Sequence, residues 1–200
     1  MPDTGAPYFI PFADPTDLVR DWPALSEDVA EAVADGLDAA GGLVAVKSAI
    51  FTGTQTDSTA GQGNFAVTNL SITHALSDSA NKLIISAFLG AAATSEGRGR
   101  VGIAIHDGTG LIQIADADGV RNRVTAGGQV SSTGQDQTVT MPSVTFVHEP
   151  GDTTERTYTV RAINISATSR TLYINREERD TNNQSATRAV SSLVIQEVKV

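Results

Sequence analysis

Apolar and polar residues alternate along much of the chain from Leu43 to Val200, which is the period of a β-strand with one buried face. The alternation is clearest at Val101, Ile103 and Ile105. Turn-forming residues separate the alternating segments, as expected for short strands joined by loops. The pattern predicts ten strands: Leu43–Thr52, Asn64–Leu76, Lys82–Ala92, Val101–His106, Leu111–Ala117, Val120–Ala126, Gln137–Val147, Arg156–Ser166, Thr171–Asn175 and Val190–Val200.

Residues 43–200 are therefore expected to form an all-β domain, an antiparallel β-sandwich of jelly-roll type. The dipeptide Asp118-Gly119 lies between two predicted strands and indicates a tight hairpin turn. Lys82–Leu89 and Leu193–Ile195 are apolar on both faces. Such a segment fits either an inner strand of a sandwich or a contact between subunits.

The first 24 residues do not follow this pattern. They hold five of the seven prolines, which disfavour both a helix and a central strand. They also hold most of the large apolar side chains that precede the β-domain: Tyr8, Phe9, Ile10, Phe12 and Trp22. An extended segment cannot bury such side chains by itself. We therefore predict an attachment arm, residues 1–24, whose aromatic residues dock on another protein.

Residues 25–42 are predicted to form a short helix and a linker. Ser26 suits the N-cap, and acidic residues follow it in the first turn. Val29, Val33 and Leu37 recur every four residues, and two glycines end the segment. One thin apolar stripe makes a marginal helix, which needs a partner to be stable.

The net charge of −9 is concentrated at the start of the chain. Residues 1–46 hold nine of the 23 acidic residues and one of the 14 basic residues, so the rest of the chain is nearly neutral. Binding to a nucleic-acid backbone needs a basic stripe, and the sequence has none. We therefore expect no nucleic-acid partner. No apolar run is long enough to cross a bilayer, so we also expect no membrane insertion.

The sequence offers little catalytic chemistry. His74, His106 and His148 lie far apart, no metal-ligand spacing links them, and there is no cysteine. The motif His106-Asp107-Gly108 is interpreted as a turn, and Asp116 and Asp118 lack the later ligands of a calcium loop. No P-loop or nucleophile elbow is present. We expect no enzyme activity, no cofactor, no metal and no catalytic residues.

The most polar loop, Arg176–Ala189, separates the last two predicted strands and contains no large apolar side chain. It is interpreted either as a solvated connection or as part of a host-recognition surface. Arginine and amide groups suit polar ligands such as glycans or acidic polymers. The candidate recognition residues are Arg176, Glu177, Arg179, Asp180, Asn182, Asn183 and Arg188.

The strands at the end of the chain resemble the terminal β-domain of bacteriophage tail-fibre and minor-tail proteins. The resemblance lies in "TYTVRAINIS" (Thr157–Ser166), "TLYINREERDTNN", "SSLVIQEV" (Ser191–Val198) and the upstream "SITHALSDSANKLIISAFLG". Near the start, "DPTDLVRDWPALSEDVAEAV" is similar to the virion-attachment segment and helix that precede such domains.

This resemblance implies a homotrimeric virion protein, made in the host cytoplasm, with a docked N-terminus and an outward β-domain. Its expected partners are other copies of itself, another virion protein bound through residues 1–24, and a host-surface polysaccharide or protein. It carries over no catalytic residues. Two alternatives stay open: a head fibre or capsid decoration protein, and a glycan-binding, lectin-like module.

Overall fold

The computed structural model describes Glu31 and residues 42–95, 100–129, 139–182 and 186–200. In these residues the chain forms twelve β-strands. They are β1 Leu43–Phe51, β2 Gln55–Thr59, β3 Asn64–His74, β4 Lys82–Phe88, β5 Ala92–Thr94, β6 Arg100–His106, β7 Leu111–Ile112, β8 Ala126–Gln129, β9 Ser143–His148, β10 Arg156–Asn164, β11 Arg170–Ile174 and β12 Ser191–Val198.

The strands form three antiparallel sheets, and two of these make a sandwich. The first sheet has the order β1-β12-β4-β9. The second sheet has the order β3-β10-β6-β7, and β8 also pairs with β6. A small third sheet has the order β2-β11-β5. The prediction of an all-β, antiparallel, sandwich-like fold is confirmed.

The core lies between the two large sheets and is mostly aliphatic. Along β12, buried and half-buried residues alternate without interruption, and Leu193 and Ile195 point inward. Strand β4 contributes Leu83 and Ile85 from its inner face. The facing sheet contributes side chains of the same kind, among them Val67, Ile72, Ile103, Ile105, Tyr158 and Val160. Burial of these alternating side chains specifies which face of each strand turns inward.

The predicted strands Leu111–Ala117 and Val120–Ala126 are wrong over most of their length. Strand β7 is only two residues long, and β8 begins at Ala126. The segment between them lies over the outer face of the second sheet, where a Cβ atom added to Gly102 would lie 2.7 Å from Val124 Cγ1. Val124 therefore packs on this sheet from outside, whereas residues 115–121 are exposed and form no strand.

The predicted turn at Asp118-Gly119 is present, but the two long strands around it are not. Gly119 has a φ of +59°, and the Arg121 N–H donates to the Asp118 carbonyl at 3.3 Å. Glycine adopts this left-handed conformation without steric cost.

Strands β2 and β5 have no counterpart in the prediction. β2 reads Gln-Thr-Asp-Ser-Thr and has no apolar residue, and β5 is only three residues long. Both pair with β11, which is the central strand of the third sheet. The predicted arm and the predicted helix lie outside the described residues, except that Glu31 is helical.

The sandwich has two distinct ends. At one end Leu43 of β1 pairs with Val198 of β12, and at the other end Phe51 pairs with Ser191. We call these the Leu43 end and the Phe51 end. Residues 1–42 join the domain at the Leu43 end, directly before β1. The polar loop after β11 leads into Ser191 and therefore lies at the Phe51 end.

A buried polar cluster holds the Leu43 end together around Glu197 of β12. The carboxylate accepts hydrogen bonds from the Ser77 N–H at 2.8 Å, the Ser77 hydroxyl at 2.7 Å and the Asn81 amide at 2.7 Å. His74 Nε2 lies 2.9 Å from the other carboxylate oxygen. The cluster joins β12 to the end of β3 and to the loop that precedes β4.

Candidate functional site: the polar loop at the Phe51 end

The polar loop, residues 176–189, begins from a rigid base at Asn175. Asn175 is fully buried and has a φ of +62°, a left-handed conformation that asparagine tolerates better than most residues. Its side-chain amide donates to the carbonyls of Phe51 at 2.7 Å and Gly53 at 2.9 Å. Its side-chain oxygen accepts a hydrogen bond from the Ser191 hydroxyl at 2.5 Å.

Backbone contacts close the base of the loop. The Asn175 N–H donates to the Ala91 carbonyl at 2.6 Å, and the Ala189 N–H donates to the Asn175 carbonyl at 3.1 Å. Arg176 and Arg188 form an isolated antiparallel bridge across the base. The loop is therefore fixed to the sandwich where it starts and where it ends.

Charged side chains organise the first half of the loop around Asp180. The Asp180 carboxylate lies 3.1 Å from Arg176 Nη1 and 2.6 Å from Arg188 Nη2. The Arg176 guanidinium also lies 4.6 Å from the centre of the Tyr173 ring and donates to the Thr56 hydroxyl at 2.9 Å. Three of the predicted recognition residues, Arg176, Asp180 and Arg188, are thus brought together.

A groove with a volume of about 250 Å³ opens beside this cluster. It is lined by Asp180, Thr181, Asn182, Ala186 and Arg188. A carboxylate, a guanidinium, a hydroxyl and an amide therefore face one space. Together they can donate hydrogen bonds to, and accept them from, a polar ligand.

Glu177 departs from the expectation that this loop is solvated throughout. It is only 1% exposed, and neither of its carboxylate oxygens has a hydrogen-bond partner among the described residues. Glu177 is therefore not accessible to a ligand from solvent, whereas Arg179 and Asn182 are exposed.

The remaining predicted site residues lie outside the described residues. These are Asn183 in the polar loop and the arm residues Tyr8, Phe9, Ile10, Phe12 and Trp22. Their assignments stay predictions.

The sequence did not indicate a second groove, of about 290 Å³, beside the third sheet. Its polar lining is Ser58, Thr59, Ser95, Ser169, Arg170 and Thr171. The Ser58 and Thr171 hydroxyls lie 3.0 Å apart, and the Thr171 N–H donates to the Ser95 hydroxyl at 3.1 Å. Four of these residues lie in β2 and β11. No alternation of apolar residues marks these positions, so the sequence pattern did not predict the groove.

The histidines and acids do not form a metal centre in the part of the chain that the structure describes, where no group of three potential ligands comes together. Burial lowers the pKa of His148, although the nearby Asp107 carboxylate acts in the opposite direction. Burial alone would raise the pKa of Asp107, but hydrogen bonds from Thr109 and Gly110 outweigh burial and lower it. The 106–110 segment is a turn, as predicted. None of the described helical residues belongs to a helix long and apolar enough to span a bilayer.

Comparisons with known proteins return structural likenesses only. No protein-family profile matches the sequence, and no curated protein matches it. A chain in the structure of infectious bursal disease virus, Gx strain, is 13% identical with a TM-score of 0.36, over 78% of this chain and 40% of that chain. This chain therefore spans well under half of the viral chain.

Two further solved structures are similar at a lower level. A chain of the Bacillus endospore appendages, which are disulfide-linked pili, is 14% identical with a TM-score of 0.24, over 77% of this chain and 92% of that chain. The coat protein of Tobacco streak virus is 15% identical with a TM-score of 0.21, over 73% of this chain and 85% of that chain. With TM-scores below 0.5, none of these likenesses assigns a function to this chain.

Proposed function

We propose that this chain is a structural protein of a bacteriophage virion, a tail fibre or minor tail protein without catalytic activity. In this proposal it docks on the virion through its N-terminal arm and contacts the host surface through the loops at the Phe51 end. The observation that carries the proposal is that β1 begins at one end of the sandwich, whereas the polar loop is held at the opposite end.

The distance between the two ends follows from the length of β1. Gly42 leads into Leu43 at one end of β1, whereas the carbonyl of Phe51 at the far end accepts a hydrogen bond from the side-chain amide of the anchor residue Asn175. A nine-residue strand spans about 26 Å at about 3.3 Å per residue. A domain held at the Leu43 end therefore presents the polar loop away from its attachment, which is the arrangement that a host-contacting fibre requires.

The chemistry of the loop favours a hydroxyl-rich or acidic ligand. The Arg188 side chain is 59% exposed and faces the groove together with Asn182. Arginine and amide groups form directional hydrogen bonds with sugar hydroxyls and with carboxylates or phosphates. The lining of this groove contains no aromatic residue, so the proposed contact relies on hydrogen bonds and not on stacking against sugar rings.

A head fibre or a capsid decoration protein would use the same arrangement of arm and loop. Negative-stain images of virions that carry a label on this protein distinguish the possibilities. Label at the tail supports the proposal, whereas label over the head shows a head fibre or a capsid decoration protein instead. A glycan-binding module that is free of the virion predicts no label on the particles.

We expect the double substitution Arg188→Ala with Asn182→Ala to reduce adsorption to host cells at least tenfold. Both residues line the groove, and an exposed ion pair such as Arg188 with Asp180 contributes less than about 1 kcal/mol to stability. The thermal midpoint should therefore stay nearly unchanged. The measurements are the phage adsorption rate and the melting temperature of the purified protein.

The matched control is Arg121→Ala, which breaks an exposed arginine–aspartate pair with Asp118 in a different loop. This control should adsorb normally. Normal adsorption of the folded double variant would contradict the recognition role of the polar loop and leave the loop as a connection.

The arm gives a separate prediction. Replacing Tyr8, Phe9, Phe12 and Trp22 together by alanine should leave the β-domain folded, because the core formed by the described residues runs from Phe51 to Ile195 and is closed by the two large sheets. Incorporation into virions should be lost, since aromatic anchors carry much of the binding energy of interfaces. Quantitative immunoblotting of purified particles measures the copy number, with Val120→Ala as the control. Normal copy number of the arm variant would refute the anchor assignment.

A further inference from the structure

The outer face of the first sheet carries an apolar surface that the described chain leaves open. Strand alternation turns one set of side chains in β1, β12, β4 and β9 away from the core. Ile50 is 61% exposed and Val46 is 53% exposed. The remaining apolar residues of this face are Val147 and Phe88, which are exposed, and Ile84, Val194 and Val198, which are half-buried. We call these seven residues, with the serines and threonines between them, the apolar face.

The register of the sheet makes this surface continuous. Ile84 pairs directly with Val147 of β9 and with Gln196 of β12, and Gln196 pairs in turn with Val46 of β1. This row crosses all four strands. A second row joins Ile50 and Phe88 through Ser192. The apolar side chains therefore form a patch and are not scattered singly, which is the pattern that marks an interaction surface.

The apolar face is almost free of charge. Among the outward residues of the four strands, the charged one is Lys82, which lies at the Leu43 end and pairs with Glu149 at 2.9 Å. Lys47 of β1 turns away and donates to the Thr73 carbonyl on the facing sheet at 2.8 Å. The Ser86 and Thr145 hydroxyls in the centre lie 3.1 Å apart and satisfy one another. Covering this face would leave few polar groups without partners.

On the second sheet, part of the outer face is covered by other side chains of the same chain. Its outward residues Gly102, Ala104 and Ile163 are buried. Val124 and Ile165 cover Gly102, because an added Cβ would lie 2.7 Å and 3.0 Å from their side chains. The chain thus covers part of the outer face of the second sheet, around Gly102, with its own side chains, and no described segment does this for the first sheet.

We propose that the apolar face is the surface through which copies of this chain assemble. This inference deepens the proposed function and rests on it, because the resemblance to phage fibre domains also implies a homo-oligomer. Charge favours a second copy as the occupant: the chain carries a net charge of −9, and a face without unpaired charge is where two copies can meet without repulsion. Among the described residues of this face, the one cation, Lys82, is already paired with Glu149, so the face offers little attraction to the acidic segment 1–46.

The size of the face agrees with such a contact. Four strands about 4.8 Å apart and about 25 Å long present roughly 480 Å². Two copies in contact would remove about 1,000 Å² or more from water, and a biological interface needs about 1,000 Å². The face is therefore large enough to support assembly only when most of it takes part, which makes single charged substitutions within it effective.

The first test uses the full chain with Val46→Glu and Ile50→Glu together. Both side chains project to solvent in the single chain, so folding should be retained, as checked by circular dichroism and the melting temperature. Light scattering after size exclusion should show an oligomer for the natural chain and at least a tenfold weaker association for the variant. Val120→Glu is the matched control, because Val120 is 90% exposed and lies on the opposite side of the sandwich.

The outcomes separate the surface from the proposed function. If the face variant assembles as tightly as the natural chain, the assignment of the apolar face as the assembly surface is wrong, but the chain is still a homo-oligomer. If the natural chain is monomeric at micromolar concentration, the assembly surface and the expected homo-oligomer are both wrong. Should the charged variant misfold, Ile50→Gln and Val46→Gln serve as milder substitutions with the same expected direction.

The second test identifies what lies on the face. The chain has no cysteine, so an introduced Ile50→Cys is the only attachment point for a maleimide–benzophenone photocrosslinker. Mass spectrometry of the crosslinked oligomer should find peptides from β1, β12, β4 or β9 of another copy. Crosslinks confined to peptides from residues 1–41 would overturn the proposal in favour of the arm as the occupant.

Discussion

Replacing Glu197 by glutamine is expected to lower the free energy of unfolding at pH 7 by about 3 kcal/mol. Glu197 is 2% exposed, and burial by itself would raise its pKa. The hydrogen bonds from Asn81, Ser77 and His74 outweigh burial and lower the pKa from 4.5 to about 2. This difference corresponds to about 3 kcal/mol of stability in favour of the ionised carboxylate.

The glutamine variant also disturbs the hydrogen bonds of its neighbours. Both carboxylate oxygens of Glu197 accept, whereas a glutamine amide offers one acceptor and one donor. His74 Nδ1 has no hydrogen-bond partner among the described residues, so the His74 proton is satisfied only on Nε2, facing Glu197. An amide group there either opposes that N–H or forces the proton onto Nδ1, where it finds no acceptor.

The pH dependence has a defined sign. Because the folded-state pKa of Glu197 lies below its unfolded value, its contribution is complete above about pH 4.5 and is lost as the pH falls toward 2. The difference in stability between the natural chain and Glu197→Gln should therefore shrink on acidification. At pH 3 it should be about half of its value at pH 7.

Urea unfolding at pH 7 and pH 3 measures both effects. The matched control is Glu149→Gln, at the same end of the sandwich: its side chain is 65% exposed and pairs with Lys82 on the surface. That control should lose less than about 1 kcal/mol, with little change between the two pH values. Equal losses for the two glutamine variants would show that the buried cluster contributes no more than a surface ion pair.

Most of the sandwich could be predicted from the pattern of apolar residues along the chain. Leu193–Ile195 and Lys82–Leu89, which are apolar on both faces, lie in β12 and β4, the inner strands of the first sheet. The same alternation places Glu197 on the inward face of β12, two positions after Ile195. An inward carboxylate needs partners. The inward position of Glu197 in the strand pattern is therefore the signal in the sequence that indicates a buried polar cluster.

The polar residues in the motifs that resemble phage fibre domains have a common structural role. Asn81, Asn175, Ser191 and Glu197 are all buried and hydrogen-bonded. Two of them hold the Leu43 end together, and two hold the Phe51 end. In this chain, the polar residues of these motifs therefore close the two ends of the sandwich.

Other features could not be predicted because tertiary contacts decide them. The five residues of β2 form a strand only since β11 offers them an edge. The segment 113–125 has apolar residues at strand-like positions, yet Val124 packs on the outside of the second sheet and residues 115–121 are exposed. Glu177 lies in the most polar loop of the chain and is buried all the same, which the polar sequence around it did not indicate.

A large loss of stability is also expected at Asn175, the buried residue that precedes the polar loop. Replacing Asn175 by alanine is expected to lower the free energy of unfolding by about 3 to 4 kcal/mol. The side chain makes three hydrogen bonds, to the Phe51 carbonyl, the Gly53 carbonyl and the Ser191 hydroxyl. Each buried group that loses its partner costs about 1 kcal/mol or more. The positive φ adds about 1 kcal/mol for alanine.

Glycine at the same position separates the two contributions. Asn175→Gly also lacks the three hydrogen bonds but adopts a φ of +62° without steric cost, so it should be about 1 kcal/mol more stable than Asn175→Ala. Asn175→Asp keeps the shape and tolerates the backbone, but it turns a carboxylate oxygen toward two carbonyl oxygens. It should therefore be at least as destabilising as alanine at pH 7.

These three variants also test whether the base of the polar loop controls its function. Asn175 connects β11 to the β1–β2 connection and to the start of β12, so losing it should free the loop before the sandwich unfolds. Proteolysis under native conditions should then cut within residues 176–189 in Asn175→Gly and leave the natural chain intact. Host adsorption should fall in parallel, because a groove formed by Asp180 and Arg188 requires both ends of the loop to be held. A glycine variant as stable and as protease-resistant as the natural chain would show that the backbone contacts of Ala91 and Ala189 suffice to hold the loop.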